Sequence, residues 1–85
     1  MHATAVPTQV VRLKNKTSKL QQVWLEPLGD RVALRPDVLY ELAVGDEFGK
    51  VEIDLADDGF VVYGWVIRIA SIDDKGDAHI EWELP

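Results

Sequence analysis

An all-β fold, specifically a single small antiparallel β-sandwich of seven or eight short strands with a small β-barrel as the alternative, is predicted by three features of this 85-residue sequence. Valine, isoleucine and aromatic residues fill a long apolar run over residues 60–72. Branched and planar side chains suit a pleated surface and lose χ1 freedom in a helix. Apolar and polar residues alternate along residues 50–55 and 78–84, the period that sends successive side chains to opposite faces of a strand. Turn-forming clusters recur roughly every 8 to 12 residues, the spacing of a sandwich or barrel.

Each element follows from local chemistry. Residues 1–7 show no periodicity and are expected to be a loosely ordered arm. Residues 10–14 read as a first strand with Val11 and Leu13 inward and Arg12 and Lys14 in water. The polar turn over residues 15–19 contains Asn15-Lys16-Thr17, a glycosylation acceptor by spelling that reads as chance in a chain with no secretory leader. Residues 20–26 set Val23 and Leu25 on one face and Gln22, Trp24 and Glu26 on the other. Pro27 ends that strand because it has no N–H for a ladder, and Gly29-Asp30 makes the turn.

A third strand over residues 31–35 turns Val32 and Leu34 inward. After Pro36-Asp37, residues 38–44 place Val38, Tyr40, Leu42 and Val44 on one face. A helix competes there, since Asp37 is a capping residue and Leu39, Leu42 and Ala43 have helical spacing; the short run and its flanking turns favour a strand. A glycine-bracketed loop over residues 45–49 leads to residues 50–55, with Val51, Ile53 and Leu55 expected inside. Asp57-Asp58-Gly59 reads as a tight hairpin turn, and Gly64 divides the following apolar run by a bulge, bend or close approach. The segment Asp73-Asp74-Lys75-Gly76-Asp77 closes a second hairpin. Its first arm, apolar on both faces, belongs in the centre of a sheet. Its second arm belongs nearer an edge, with Ala78, Ile80, Trp82 and Leu84 buried opposite His79, Glu81 and Glu83.

Composition bounds the function. A chain of this length has room for one core, so residues 1–85 are read as one domain. Without cysteine there are no disulfides, thiolate metal sites or cysteine nucleophiles. No apolar run is long enough to span a membrane as a helix, and cytoplasmic residence is the expectation. Charge is uneven. Residues 1–43 carry six Lys and Arg against four Asp and Glu, and residues 44–85 carry three against eleven. Such an acidic half repels a phosphate backbone, which speaks against nucleic acid as a partner.

No catalytic set, cofactor motif or dedicated metal site is read from the sequence. Asp54, Asp57 and Asp58 cluster at one turn and Asp73, Asp74 and Asp77 at another, without the alternate ligand spacing and terminal glutamate of a calcium loop. Turn aspartates bond their own backbone, and that is the reading adopted. His79 shares a strand face with Glu81 and Glu83, carboxylates that could orient a general base, but a solvated histidine is the simpler account. Ser18 and Ser71 lie in no nucleophile motif. The aromatic residues Trp24, Tyr63 and Trp65, opposite the core-facing residues of their strands, form the candidate interaction face. Asp54, Asp57, Asp58, Glu81 and Glu83 form the candidate acidic patch.

The run from Asn15-Lys16-Thr17 through Glu26-Pro27-Leu28-Gly29, then Leu34-Arg35-Pro36-Asp37 and Tyr40-Glu41-Leu42, resembles a pattern of small bacterial all-β proteins: Asn-x-Thr/Ser, Glu-Pro, a bulky residue and Gly, then Leu-x-Pro-Gly. It covers about the first half of the chain and implies no activity; Asp37 stands where the pattern has glycine. In architecture alone the chain is also similar to the β-domain of the von Hippel-Lindau tumour suppressor, a sandwich that captures a peptide strand, although its hydroxyproline-reading residues have no counterparts here. Together these readings predict a non-enzymatic protein-interaction module whose partner is another protein or a second copy in a homodimer. The alternative is an acidic inhibitor, of the immunity type, for a basic toxin or nuclease.

Overall fold

The structure is a computed structural model that describes Pro7 and residues 9–85; the arm expected over residues 1–7 therefore lies, except for Pro7, outside the described residues. The described residues form eight strands, β1 (Gln9–Lys14), β2 (Gln21–Glu26), β3 (Asp30–Leu34), β4 (Leu39–Gly45), β5 (Glu52–Ala56), β6 (Gly59–Tyr63), β7 (Trp65–Ile72) and β8 (Ala78–Glu83). They build two four-stranded sheets, ordered β1-β4-β7-β8 and β3-β2-β6-β5. The architecture is an open sandwich, not a closed barrel. The segment expected over residues 38–44 is strand, as its alternation predicts, with bounds Leu39–Gly45, and β7 is central with β8 at the edge. Among the described residues no helix is long and apolar enough to cross a membrane.

The inward rows meet in one core. Val23, Leu25, Val32, Leu34 and Val62 from one sheet pack against Tyr40, Leu42, Val44, Val66 and Ile69 from the other. Burying an aliphatic side chain of this size stabilises by about 1.5 to 3 kcal/mol, so this cluster outweighs any single polar contact. Tyr40 is fully buried, and its hydroxyl accepts a 2.8 Å hydrogen bond from the Arg35 amide, which satisfies its one polar atom. On the side where β3 meets β8, the Trp82 indole N–H donates to Asp30 Oδ2 at 3.0 Å and ties the two sheets together.

Pairing departs from the expectation in one ladder: β2 and β6 run parallel, with Trp24 beside Val61 and Glu26 beside Tyr63. The other ladders are antiparallel. The chain passes between sheets at four places, and two of these are fastened by Asn15. Its buried side chain donates to the Lys19 carbonyl at 2.7 Å and the Leu34 carbonyl at 2.9 Å, and accepts from the Thr17 amide and hydroxyl. Its own carbonyl accepts from the Asp37 amide at 2.7 Å, so the β1–β2 and β3–β4 crossings are bound to each other. A side chain so enclosed is a structural strut, not a glycan acceptor. Gly64 makes the crossing from β6 to β7, its amide donating to the Glu26 carbonyl at 2.9 Å.

Two expected buried faces are corrected. In β8 a bulge at Glu81 shifts the register, so that Ile69 faces Trp82 while Ala70 faces Ile80. The extra residue reverses the parity of the strand. Trp82 packs against the core and Ile80 is 55% exposed on the outer face. In β5, Ile53 and Leu55 do sit beside the inward residues Val62 and Phe60, yet at the edge of the sheet they are 38% and 83% exposed.

Candidate functional site

The outer face of the β3-β2-β6-β5 sheet gathers two of the three predicted aromatic residues. Val23 and Leu25 point into the core, so Trp24 must point out; the parallel ladder then places Val61 at its side and Tyr63 one step further along. Trp24, Glu26, Ala56, Val61 and Tyr63 line a shallow groove of about 450 Å³. Tyr63, itself 43% exposed, is shared with an adjoining groove of about 320 Å³ that also takes in Pro27, Phe48 and Glu52.

Trp65 is not part of this face. The Gly64 crossing carries it into the other sheet, where it pairs with Gly45 and meets Phe48 edge-on, ring centroids 5.4 Å apart at 69°. Phe48 is therefore the link between Trp65 and the grooves around Tyr63. It was not among the predicted site residues, because a lone aromatic in a glycine-bracketed loop has no periodicity to mark it.

The predicted acidic patch is two separate groups. Asp54 lies beside Val61, which lines the aromatic groove, and Asp57 and Asp58 form the turn that follows Ala56. Glu26 and Glu52, which flank Tyr63 on either side, belong to the same surface and were missed. Glu81 and Glu83 sit on β8, an edge of the other sheet on the side that meets β3, whereas β5 is at the far edge.

Glu81 is already engaged. The Arg35 guanidinium holds it through two bonds of 3.0 and 3.2 Å, and the Ser71 hydroxyl donates to it at 2.7 Å. The arginine, and then the serine, keep its carboxyl below the usual range, and Glu81 in turn raises Arg35. Glu83 lies opposite Arg68 in the ladder. The cleft of about 360 Å³ lined by Arg35, Ser71, Asp73, His79 and Glu81 is thus a polar clamp across the end of the sandwich. Its serine hydroxyl is directed at a carboxylate rather than at the imidazole, so the two are not paired as nucleophile and base. Among the described residues no group of three or more His, Cys, Asp or Glu is placed to hold a metal ion.

His79 Nε2 lies 2.8 Å from Asp73 Oδ2, while the other oxygen of that carboxylate accepts from the Lys75 and Asp77 amides in the turn. Asp73 raises the imidazole above its ordinary 6.5, and the imidazole, followed by the Asp77 amide, lowers Asp73 below 3.8. The histidine contribution to stability is therefore complete below its unfolded value and disappears as pH rises through the raised one. The aspartate contribution is present above its unfolded value and disappears as pH falls through the lowered one. The expected result is that Asp73→Asn moves the His79 titration, followed by NMR, back toward 6.5 and destabilises the fold more at pH 5.5 than at pH 8. An unmoved His79 titration in Asp73→Asn would break this assignment.

No protein-family model, curated protein or solved structure matches this chain.

Proposed function

We propose that this protein is a non-enzymatic binding module that takes a basic surface of another protein on the outer face of its β3-β2-β6-β5 sheet. The observation that carries the reading is that Trp24 and Tyr63 line one open groove with Glu26, while Glu52 beside Tyr63 and Asp54 beside Val61 bring the carboxylates of this surface to three, against Arg31 beside Trp24 and Lys50 in the adjoining groove. Among the described residues no element packs over that face. Indole and phenol rings offer large contact area with few rotors to freeze, and they attract cations to their faces. Carboxylates at the border steer a basic partner and repel nucleic acid.

The acidic-inhibitor reading draws on one specific arrangement, Asp57 and Asp58 in the β5–β6 turn directly after Ala56, which lines the groove. It differs in its salt response. An inhibitor whose affinity comes mainly from charge loses it steeply between low and physiological salt, whereas a complex anchored by the aromatic groove and only guided by the border carboxylates keeps most of its affinity.

The test compares wild type, Trp24→Ala and Trp65→Ala as baits and as analytes against each protein that wild type retains. Trp24→Ala is expected to weaken that complex about a hundredfold, the loss of one central aromatic anchor, and Trp65→Ala to leave it within about threefold. A folded Trp24→Ala with unchanged affinity for every retained protein refutes the reading.

A further inference from the structure

Four strands are sheet edges, and β5 stands apart from the other three. β1 carries Arg12 and Lys14, which repel a basic strand where Glu52 and Asp54 of β5 attract one, β8 is interrupted by its bulge, and β3 is approached by Trp82 through Asp30. Charges, bulges and covering groups are the ordinary means by which an edge is kept from pairing with another chain. β5 has an unbroken register with β6, all five of its residues are exposed, and its inward row ends in Leu55, 83% exposed. An apolar row that no described residue covers, beside an open sheet edge, is a receptor for a further strand.

We infer that β5 is extended by an added strand from the partner protein, an extended segment in which apolar residues alternate with lysine or arginine. The inference rests on the protein-binding reading and names the chemistry of the partner. The apolar residues would lie beside Ile53 and Leu55, and the basic ones beside Glu52 and Asp54 on the opposite face. The second set is the outer face, where the row Trp24, Val61, Asp54 leads from the groove to the edge. A basic residue added to that row continues it. A second copy of the chain fits poorly: the antiparallel register that pairs the whole of β5 with itself sets Asp54 against Asp54, and like charges directly opposite destabilise a ladder.

The probe is the peptide acetyl-Lys-Val-Lys-Val-Lys-Val-Lys-amide, with a Glu-for-Lys version and two versions N-methylated at alternate residues, one in each phase. Binding is read by fluorescence anisotropy and by amide hydrogen exchange with NMR detection. The lysine peptide is expected to bind and to slow exchange of β5 amides. The glutamate peptide, at least one N-methylated peptide and the exposed-site variant Asp54→Lys are each expected to lose about tenfold or more in affinity. Failure of the lysine peptide to bind, equal binding by both N-methylated peptides, or unchanged β5 exchange at saturation would overturn the proposal. The protein-binding reading has its own readout: if Trp24→Ala loses a protein retained by wild type while that protein leaves β5 exchange unchanged, docking on the face stands and strand addition does not.

Discussion

Gly59→Ala is expected to lower stability by about 3 to 5 kcal/mol, a large share of the total for a domain of this size. Gly59 has a φ of 157° and pairs with Gln22 at the start of the parallel ladder. A Cβ there collides with the Gln22 carbonyl oxygen, which is backbone and cannot swing aside. The two strands must separate or the ladder must shift, and either change uncovers Val23 and Phe60, which lie next in register. Urea denaturation followed by circular dichroism measures the loss. Gly76→Ala is the control: its φ is 85° and a Cβ meets nothing within 4 Å, so only the left-handed conformation is penalised, by about 1 to 2 kcal/mol. Equal losses in the two variants would show that strain, not collision, governs Gly59.

Asn15→Ala is expected to cost about 2 to 4 kcal/mol, the loss of several hydrogen bonds plus the desolvation of the partners left behind. The Leu34 carbonyl is the decisive partner, since that bond is buried. Asn15→Asp is the sharper experiment. Asparagine acts here as donor and acceptor together, giving two N–H bonds and receiving two from Thr17. An aspartate keeps the acceptor side and sets a second oxygen against two carbonyl oxygens, so its loss at pH 7 should equal or exceed that of alanine. Lowering the pH, which protonates the new carboxyl and supplies one donor, should recover part of it. An Asn15→Asp protein as stable as wild type at pH 7 contradicts the bonding described.

Much of this fold was legible because alternation and turns act locally. The two-residue turn at Asp57-Asp58 fixes the register of β5 on β6, and from it Glu52 can be set beside Tyr63 and Asp54 beside Val61 without a structure. The exterior position of Trp24 followed from Val23 and Leu25 in the same way. Three features were not legible, each for a physical reason. The parallel ladder joins segments far apart in sequence, and no periodicity specifies which strands become neighbours, so alternation puts Trp24 and Tyr63 on the outer sides of their strands without showing that those strands are adjacent. The bulge at Glu81 leaves the apolar pattern of residues 78–84 intact while reversing which of those residues face inward. The exposure of Leu55 depends on what lies across from β5, and alternation reports only which face a residue is on.

The parallel ladder also orders events in time. The β2–β3 and β5–β6 hairpins each close over a few residues and can form within microseconds, but neither completes a sheet. Their union must wait for residues 59–63 to find residues 22–26, with β4, which belongs to the opposite sheet, between them in the chain. That long closure carries the entropy of the intervening chain before any contact repays it, which places folding on the scale of about milliseconds to seconds typical of sandwiches. Until that meeting, two short hairpins with unsatisfied edges are what a chaperone or a neighbouring nascent chain would encounter.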